Sequence, residues 1–486
     1  MAGQHVQKVI CVVHRLARLQ SVCIRSVSFR RASSITASLL TAVAMAGLSG
    51  CATYRSSPLP HGADLAANQG SLDATIPTTR ANYLTRRIDL SRPLTINQIG
   101  LLAILNDPDL KSEPGELGIA RAGMLQATLL PNPSANLNYG ALISGPGTTS
   151  SIAASLSQDF AAVITRHARV RSAEGHLYQV DADQLWREWQ VAQKARQLAL
   201  DIYSANRSIG LTDHERQLIS RDVGQVRAAI AAGNLTLAAL APLLASEAAT
   251  EQTLVALRIG RLKNWQALNA LLGLDPTVRF GIVPPVYHPL PADLEKLVAS
   301  LPDRRPDLIA LRFGYRSAEE DVRAAILGQF PALSLGGSYS SDTSAVVTGG
   351  PTFTFALPVF DRNQGRIART QATRLLLREQ YQARLDKAVA NVYALIAQLR
   401  ELAADLVQAR KAATAAQSLA LTARRAYAQN NLDQRSLTDY ERTELERALE
   451  VTTIERQIGE DRVFLAVELA LGLPPTKIAL SGRTEL

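Results

Sequence analysis

The sequence predicts a mainly α-helical chain that also carries four amphipathic β-strands and is built from one duplicated unit. Three observations predict this fold class. Short motifs recur at a nearly constant separation, the long run 366–458 contains neither glycine nor proline, and four segments alternate apolar with polar residues. Aromatic residues make up only 5% of the chain, which is typical of extended helices rather than of a β-sandwich.

The duplication is visible in five pairs of motifs that keep their order and lie 197 to 200 residues apart. The pairs are 106–110 with 304–308, Pro133 with Pro331, Phe160 with Phe360, 233–235 with 430–432, and 272–274 with 471–473. A fixed separation of this kind indicates a tandem repeat. We therefore divide the chain into repeat 1, residues 93–280, repeat 2, residues 290–475, and a C-terminal tail, 476–486.

The second half of each repeat is predicted to be very long helix. Without helix-breaking residues, the run 366–458 has no interior position at which a helix is expected to end, apart from a turn near Asn430. From 366 to 430 such a helix would span roughly 100 Å. Its apolar positions follow alternating three- and four-residue steps, the seam of a left-handed coiled coil. The seam is Leu385, Ala388, Val392, Leu395, Leu399, Leu402, Leu406, Ala409, Ala413, Ala416 and Ala420.

The first half of each repeat carries one β-hairpin with period-two alternation. Strands are predicted at about 133–144 and 150–160 in repeat 1 and at about 331–341 and 350–360 in repeat 2, with turns at 145–147 and 348–350. Strands with one apolar and one polar face fit a transmembrane barrel, although an ordinary half-buried sheet has the same periodicity. Four strands cannot close on themselves, and an open edge is not tolerated in lipid. A barrel therefore requires several chains.

The N-terminus has the features of a lipoprotein signal peptide at residues 1–50. This segment carries a formal charge of +6, of the total of +9, and ends in an uncharged stretch closed by Leu48, Ser49, Gly50 and Cys51. The ending resembles a bacterial lipobox, which implies cleavage before Cys51 and covalent lipid on it. Ala52 follows the cysteine, and by resemblance to other lipoproteins the absence of Asp there implies sorting to the outer membrane. The alternative is that the uncharged stretch is a single membrane-spanning helix. Residues 51–92 would then form a lipidated linker.

Composition and motifs argue against two other functions. Beyond the signal segment no basic stripe with interleaved aromatic residues is present, so a nucleic-acid partner is not expected. The chain has no nucleotide-binding, zinc-protease or serine-hydrolase motif, and its seven histidines are scattered. We expect no enzyme activity, no metal site and no cofactor other than the lipid at Cys51.

Taken together over residues 93 to 475, these motifs resemble the TolC-type outer membrane factor family. The resemblance rests on Pro-Asp-Leu at both helix starts, Pro before each hairpin, the sequence 357–361, the long helices and the closing Leu-Gly-Leu. It implies a homotrimer with a 12-stranded outer-membrane barrel above an α-helical periplasmic tube. It also implies a periplasmic adaptor protein and an inner-membrane pump as partners. The pump would be of the resistance-nodulation-division, ABC or major-facilitator type, and we expect the first of these.

By the same resemblance, the turns between the long helices form the periplasmic tip and contact the adaptor. The tip residues are Gly233, Asn234, Leu235, Tyr427, Asn430, Asn431 and Leu432. Asn430 stands where the family favours glycine, and asparagine tolerates the same left-handed backbone.

Beyond the tip turn, Asp439 matches a position where the family can place an acidic ring that gates the tube. The alternative, to which we give equal weight, is that Asp439 is a solvated helix residue beside Arg435 and Arg442. For the whole chain, the alternative to an efflux channel in the outer membrane of a Gram-negative bacterium is a lipid-anchored periplasmic coiled-coil scaffold without a pore.

Overall fold

The computed structural model describes residues 53–76, 86–286, 290, 293–331 and 333–471. The chain divides into two compact units, Met1–Ala63 and Asp64–Leu486. In the first unit the described residues 53–63 form neither helix nor strand. The predicted signal peptide, Cys51 and the tail 476–486 lie outside the described residues. The second unit contains every element described below.

The two repeats fold into the same succession of elements. Repeat 1 contains α1 (Ile96–Asn106), α2 (Glu113–Thr128), β3 (Ser134–Gly140), β4 (Ser151–Asp159), α3 (Ala161–Ala231) and α4 (Ala241–Leu271), and a short antiparallel pair, β1 (Thr75–Ile76) and β2 (Arg86–Arg87), precedes it. Repeat 2 contains α5 (Leu294–Ala299), α6 (Leu301–Arg304), α7 (Pro306–Leu327), β5 (Leu333–Ser341), β6 (Val347–Phe355), α8 (Gln364–Ala428) and α9 (Gln434–Glu468). The predicted fold class is confirmed in its helical part by α3 and α8, which have 71 and 65 residues.

The long helices pack side by side in one layer. Helix α4 packs on α3, α3 on α9, and α9 on α8, so α4 and α8 are the two edges of this layer. Residues of the predicted seam, including Ala388, Val392, Leu399 and Ala420, are buried in α8. No helix in the described part of the chain is both long enough and apolar enough to cross a membrane.

Each repeat has its own hydrophobic core where the shorter helices cover the long ones. In repeat 1, α1 and the end of α4 pack on Ala195, Leu198 and Ile202 of α3, and in repeat 2 Leu301 and Leu308 pack against α8 and α9. Leu72, Ala74 and Ile88 also belong to the repeat 1 core. Part of the predicted linker 51–92 is thus packed structure, which polar composition alone did not reveal.

The four strands form one antiparallel sheet in the order β3-β4-β5-β6. The prediction that residues 348–350 turn the second hairpin is wrong, because Thr348, Gly349 and Gly350 lie inside β6 and pair with β5. The chain reverses at Asp342 instead, whose side chain accepts hydrogen bonds from the amides of Ser344 and Val346, both at 2.9 Å. A carboxylate-capped turn of this kind replaces the glycine-rich turn that the sequence suggested.

The helix starts differ between the repeats, whereas the ends of α4 and α9 share one backbone geometry. Pro306 begins α7 as predicted, but in repeat 1 the Pro-Asp-Leu segment leads into a 3-10 turn, and α2 begins only at Glu113. At the end of repeat 2, Ala470 has a φ of 50° and Leu471 N donates to Ala466 O at 2.8 Å. Gly273 ends α4 in the same way. The structural counterpart of residues 272–274 is therefore 469–471, two residues before the Leu-Gly-Leu sequence.

Candidate functional site

The sheet has two chemically different faces, and the strand register creates them. Directly paired residues of an antiparallel sheet point to the same face, so Leu137 opposite Ala154, and Leu335 opposite Phe353, share a side. The apolar face carries Ala135, Leu137, Tyr139, Ile152, Ala154, Leu156, Leu333, Leu335, Tyr339, Phe353 and Phe355. The opposite face carries Ser134, Asn136, Asn138, Ser151, Ser155, Ser157, Ser334, Ser338, Ser340, Thr348, Thr352 and Thr354.

Both faces of this sheet are open in the single chain. Leu137 is 83% exposed and Phe353 is 65% exposed. An apolar surface this continuous is not stable in water and marks a contact with lipid or protein. The backbones of β3 and β6 also keep one unpaired edge each, because among the described residues each has a neighbouring strand on one side only. The sheet is therefore an incomplete part of a larger assembly.

The two turns at the far ends of the long helices have the same backbone geometry. After α3, Gly233 has a φ of 76°, and Asn234 N donates to Ala229 O at 2.8 Å. After α8, Asn430 has a φ of 59°, and Asn431 N donates to Ala426 O at 2.8 Å. Both are Schellman caps, in which the residue after the left-handed position closes a six-residue ring. Asn430 thus adopts the left-handed backbone conformation that was expected of this position from the resemblance, where the family favours glycine.

The other predicted tip residues lie in or beside these turns. Leu235 and Tyr427 are 44% and 40% exposed, while Leu432 is half-buried. Asp433 then starts α9 by accepting a hydrogen bond from Ser436 N at 2.9 Å. This bond, together with one from the Ser436 hydroxyl, holds the pKa of the Asp433 carboxyl below its usual value. Exposed apolar side chains on a fixed turn can contact another protein.

Asp439 lies on the exposed surface of α9, five residues after the start of that helix. In the described part of the chain Asp439 forms no ion pair. The nearby Arg442 pairs with Glu215 of α3, with 3.7 Å between Arg442 Nη2 and Glu215 Oε1. Its neighbour Thr438 is buried and donates a hydrogen bond to Asp222 of α3 at 3.0 Å. The structure therefore brings an aspartate of each repeat together near the tip.

Asp222 is a residue that sequence reasoning missed. Burial raises the pKa of its carboxyl, the Thr438 hydroxyl lowers it, and the nearby negative charge of Asp439 raises it again. Burial likewise raises the pKa of Glu215, although Arg442 opposes that shift. No local motif marks Asp222, because its proximity to Asp439 comes from the packing of α3 on α9. Together these groups place negative charge close to the turns.

A change at Asn430 tests the turn geometry. We expect Asn430→Val to destabilise the turn by about 1–2 kcal/mol, because a β-branched side chain clashes with the backbone in the left-handed region. Hydrogen exchange of the amides of Asn430 and Asn431 should accelerate roughly 5- to 30-fold. Asn430→Gly should leave exchange slow, and Asn431→Ala serves as the matched control. Equal acceleration in the valine and alanine variants would refute a specific requirement at 430.

Comparison with known proteins agrees with this architecture. A family model described as outer membrane efflux protein matches residues 297–463. None of the curated proteins matches the sequence significantly. Several solved structures share the fold, all at low sequence identity.

Three of these structures illustrate the likeness. The outer membrane protein VceC of Vibrio cholerae has a TM-score of 0.62 at 16% identity, covering 77% of this chain and 95% of its own. The outer-membrane channel OprN has a TM-score of 0.64 at 18% identity, with 87% and 99% covered. The open MtrE outer membrane channel of Neisseria gonorrhoeae has a TM-score of 0.61 at 16% identity, with 87% and 99% covered. The family model matches repeat 2 and the solved structures share the fold over both repeats, so this chain resembles the outer membrane efflux proteins, as its sequence motifs predicted.

Proposed function

We propose that three copies of this chain form the outer-membrane channel of a tripartite efflux pump. The proposal rests on one observation: in a single chain, both the β-sheet and the layer of long helices end in edges that have no neighbour among the described residues. The sheet ends at β3 and β6, and the layer of long helices ends at α4 and α8. A rotation that pairs β6 of one copy with β3 of the next can also place α8 of the first against α4 of the next. One symmetric assembly thus closes both layers.

The number of copies follows from the size of the resulting barrel. Two copies of the four-stranded sheet give eight strands, and the interior of an eight-stranded barrel is filled by side chains. Three copies give twelve strands, which leaves room for a water-filled passage. The apolar face would then contact lipid and the polar face would line the passage. This division of the faces supports a channel over the alternative of a periplasmic scaffold, which has no use for an apolar sheet face.

The long helices would continue the passage below the membrane. Helix α3 has 71 residues, about 107 Å at 1.5 Å per residue, and three copies of the four long helices would give a twelve-helix tube. We propose that the tube reaches across the periplasm to an adaptor protein that contacts the tip turns. The inner-membrane pump, for which we favour the resistance-nodulation-division type, would select the cargo. The chain itself would catalyse no reaction and need no metal or cofactor.

The N-terminus would add a second attachment to the outer membrane. We propose that Cys51 becomes the lipidated first residue after removal of residues 1–50. The apolar chains would anchor each copy beside the barrel. Metabolic labelling with a palmitate analogue in wild type and Cys51→Ala tests this attachment, and labelling of both proteins would refute it.

The decisive experiment is single-channel recording of the purified protein in planar lipid bilayers, with its mass measured in the same detergent. A trimer that opens discrete pores is the expected result. Because a closed tip would block conduction, a variant with Asp439 and Asp222 both replaced by alanine is recorded beside the wild type. A monomer that conducts in neither form would favour the scaffold.

The same recording tests Asp439 as a gate residue. In a trimer, three Asp439 carboxylates would surround the passage and attract cations. A unit charge about 5 Å from a passing ion changes the ion's energy by about 0.8 kcal/mol even in water, so Asp439→Ala should lower the cation-to-anion permeability ratio at least about fourfold. The conductance of the closed state should rise as well. Glu379→Ala, at an exposed position of α8, is the matched control.

Unchanged selectivity and conductance in Asp439→Ala would show that this aspartate is only a solvated helix residue. Such a result would leave the channel itself intact, because the barrel and tube do not depend on the side chain. The gate and the channel are therefore tested separately.

A further inference from the structure

A cavity of about 410 Å³ opens between the start of α1, the middle of α3 and the second half of α9. It lies far along α3 from the strands and from the tip turns, and the proposed channel does not use it. The segment 283–286 closes one side of it with Val283, Pro284 and Pro285. Its volume is in the range of pockets that hold small organic molecules.

The polar groups that line this cavity are cationic or neutral. Arg196 of α3 and Arg462 of α9 both line it, and none of the described lining residues is acidic. Thr95, which caps the start of α1, and Ile96 and Asn97 in its first turn also line the cavity. Amides in the first turn of a helix have no backbone acceptor within the helix, and they carry the positive end of its dipole. The cavity thus offers positive potential from Arg196 and from one helix start.

Gln193 supplies an independent sign of a ligand. Its side chain is only 6% exposed and lines the cavity, yet neither its Nε2 nor its Oε1 has a hydrogen-bond partner among the described residues. An unpartnered buried amide is costly, and native proteins rarely keep one without a use. Nε2 is a suitable donor to an anionic oxygen.

Arg196 is held in place without a counter-charge. Its guanidinium carbon lies 5.4 Å from the centre of the Trp189 ring, and no carboxylate of the described chain forms an ion pair with it. A Cβ at Gly100, inside α1, would come within 2.9 Å of Arg196 Nε, so the glycine leaves the room that the arginine occupies. The same Cβ would lie 3.0 Å from Ala192 O, so the glycine also lets α1 pack closely on the backbone of α3. Burial lowers the pKa of Arg196, and no opposing charge raises it.

We infer that this cavity binds a small organic anion, a carboxylate with an apolar body. The carboxylate would accept hydrogen bonds from Gln193 and Arg196 beside the first turn of α1, while the apolar body would lie against Val283, Pro284 and Val463. Arg196 and Gln193 lie three residues apart on one face of α3, so both can reach the same anionic group. An anion there neutralises Arg196 and gives Gln193 its missing partner.

The test uses the full chain in a non-ionic detergent and isothermal titration calorimetry with 4-phenylbutyrate. We expect saturable binding with one site per chain. The neutral amide of the same compound should bind at least tenfold more weakly, because it cannot neutralise Arg196. Inorganic phosphate should compete poorly, because it has no apolar part.

Two variants and one control assign the site. Arg196→Gln should weaken binding of 4-phenylbutyrate at least tenfold, and Gln193→Leu should weaken it several-fold without lowering the thermal stability of the free protein. Lys194→Gln removes a positive charge from an exposed position of the same helix and should leave binding unchanged. Oligomeric mass and single-channel conductance, measured in parallel, show whether each variant still assembles.

Three outcomes would overturn the inference. They are the absence of saturable binding to the wild type, equal binding of the acid and its amide, and undiminished binding to Gln193→Leu combined with a loss of its stability. The last outcome would show that the glutamine is a structural residue. None of these outcomes bears on whether the protein forms a channel.

Discussion

Replacing Leu137 by arginine should prevent the protein from assembling in the outer membrane. Leu137 lies in the middle of β3 on the apolar face of the sheet and is 83% exposed in the single chain. An arginine that faces lipid near the middle of the bilayer costs about 2–4 kcal/mol, so three copies in a trimer cost about 6–12 kcal/mol. That penalty is comparable to the whole stability of a typical folded domain. The measurement is the amount of trimer in isolated outer membranes, detected in detergent gels as a band that shifts on heating.

The neighbouring residue provides a matched control. Asn138 follows Leu137 in the same strand and therefore points to the polar face. Asn138→Arg should still assemble, and its added positive charges should reduce cation permeation through the passage. If both variants assemble equally well or fail equally, the division of the sheet into a lipid face and a passage face is wrong.

The features that sequence alone predicted are those that depend on local pattern. The absence of glycine and proline from 366–458 predicted the long helices, and period-two alternation predicted the strands. The turns at Gly233 and Asn430 were recognisable because few residue types adopt a left-handed backbone. In each case a short stretch of chain contains the information that determines its own conformation.

The features that sequence reasoning missed depend on distant parts of the chain. Residues 348–350 have the composition of a turn, yet pairing with β5 keeps them in β6. Ala470, after the end of α9, has a positive φ although alanine has no local preference for it, and its neighbour Leu469 is fully buried in the repeat 2 core. The contact of Thr438 with Asp222 joins residues 216 positions apart. Strand pairing within repeat 2, packing within the repeat 2 core and packing between the repeats decide these three features in turn.

The two Pro-Asp-Leu motifs show how a duplicated sequence can acquire different roles. In repeat 2, Asp307 is 4% exposed and accepts hydrogen bonds from Arg305 at 2.8 and 3.0 Å and from Arg384 at 3.2 Å. Arg305 also pairs with Glu468 at the end of α9. In repeat 1, the equivalent Asp109 is exposed and forms no ion pair among the described residues, while Asp107 is buried and accepts from the amides of Asp109 and Leu110.

Asp307→Ala should therefore destabilise the protein by about 3–5 kcal/mol, because it leaves the buried guanidinium of Arg305 with only one of its two carboxylate partners. The same substitution in repeat 1, Asp109→Ala, should change stability by no more than about 0.5 kcal/mol, as is usual for an exposed side chain. Chemical denaturation of both variants in detergent, followed by circular dichroism, measures the difference. The comparison holds residue type, substitution and motif constant and changes only burial and partners. Similar losses of stability in the two variants would mean that the motif acts through its local sequence. The ion-pair network of Asp307, Arg305, Arg384 and Glu468, which joins α7, α8 and α9, would then contribute little to stability.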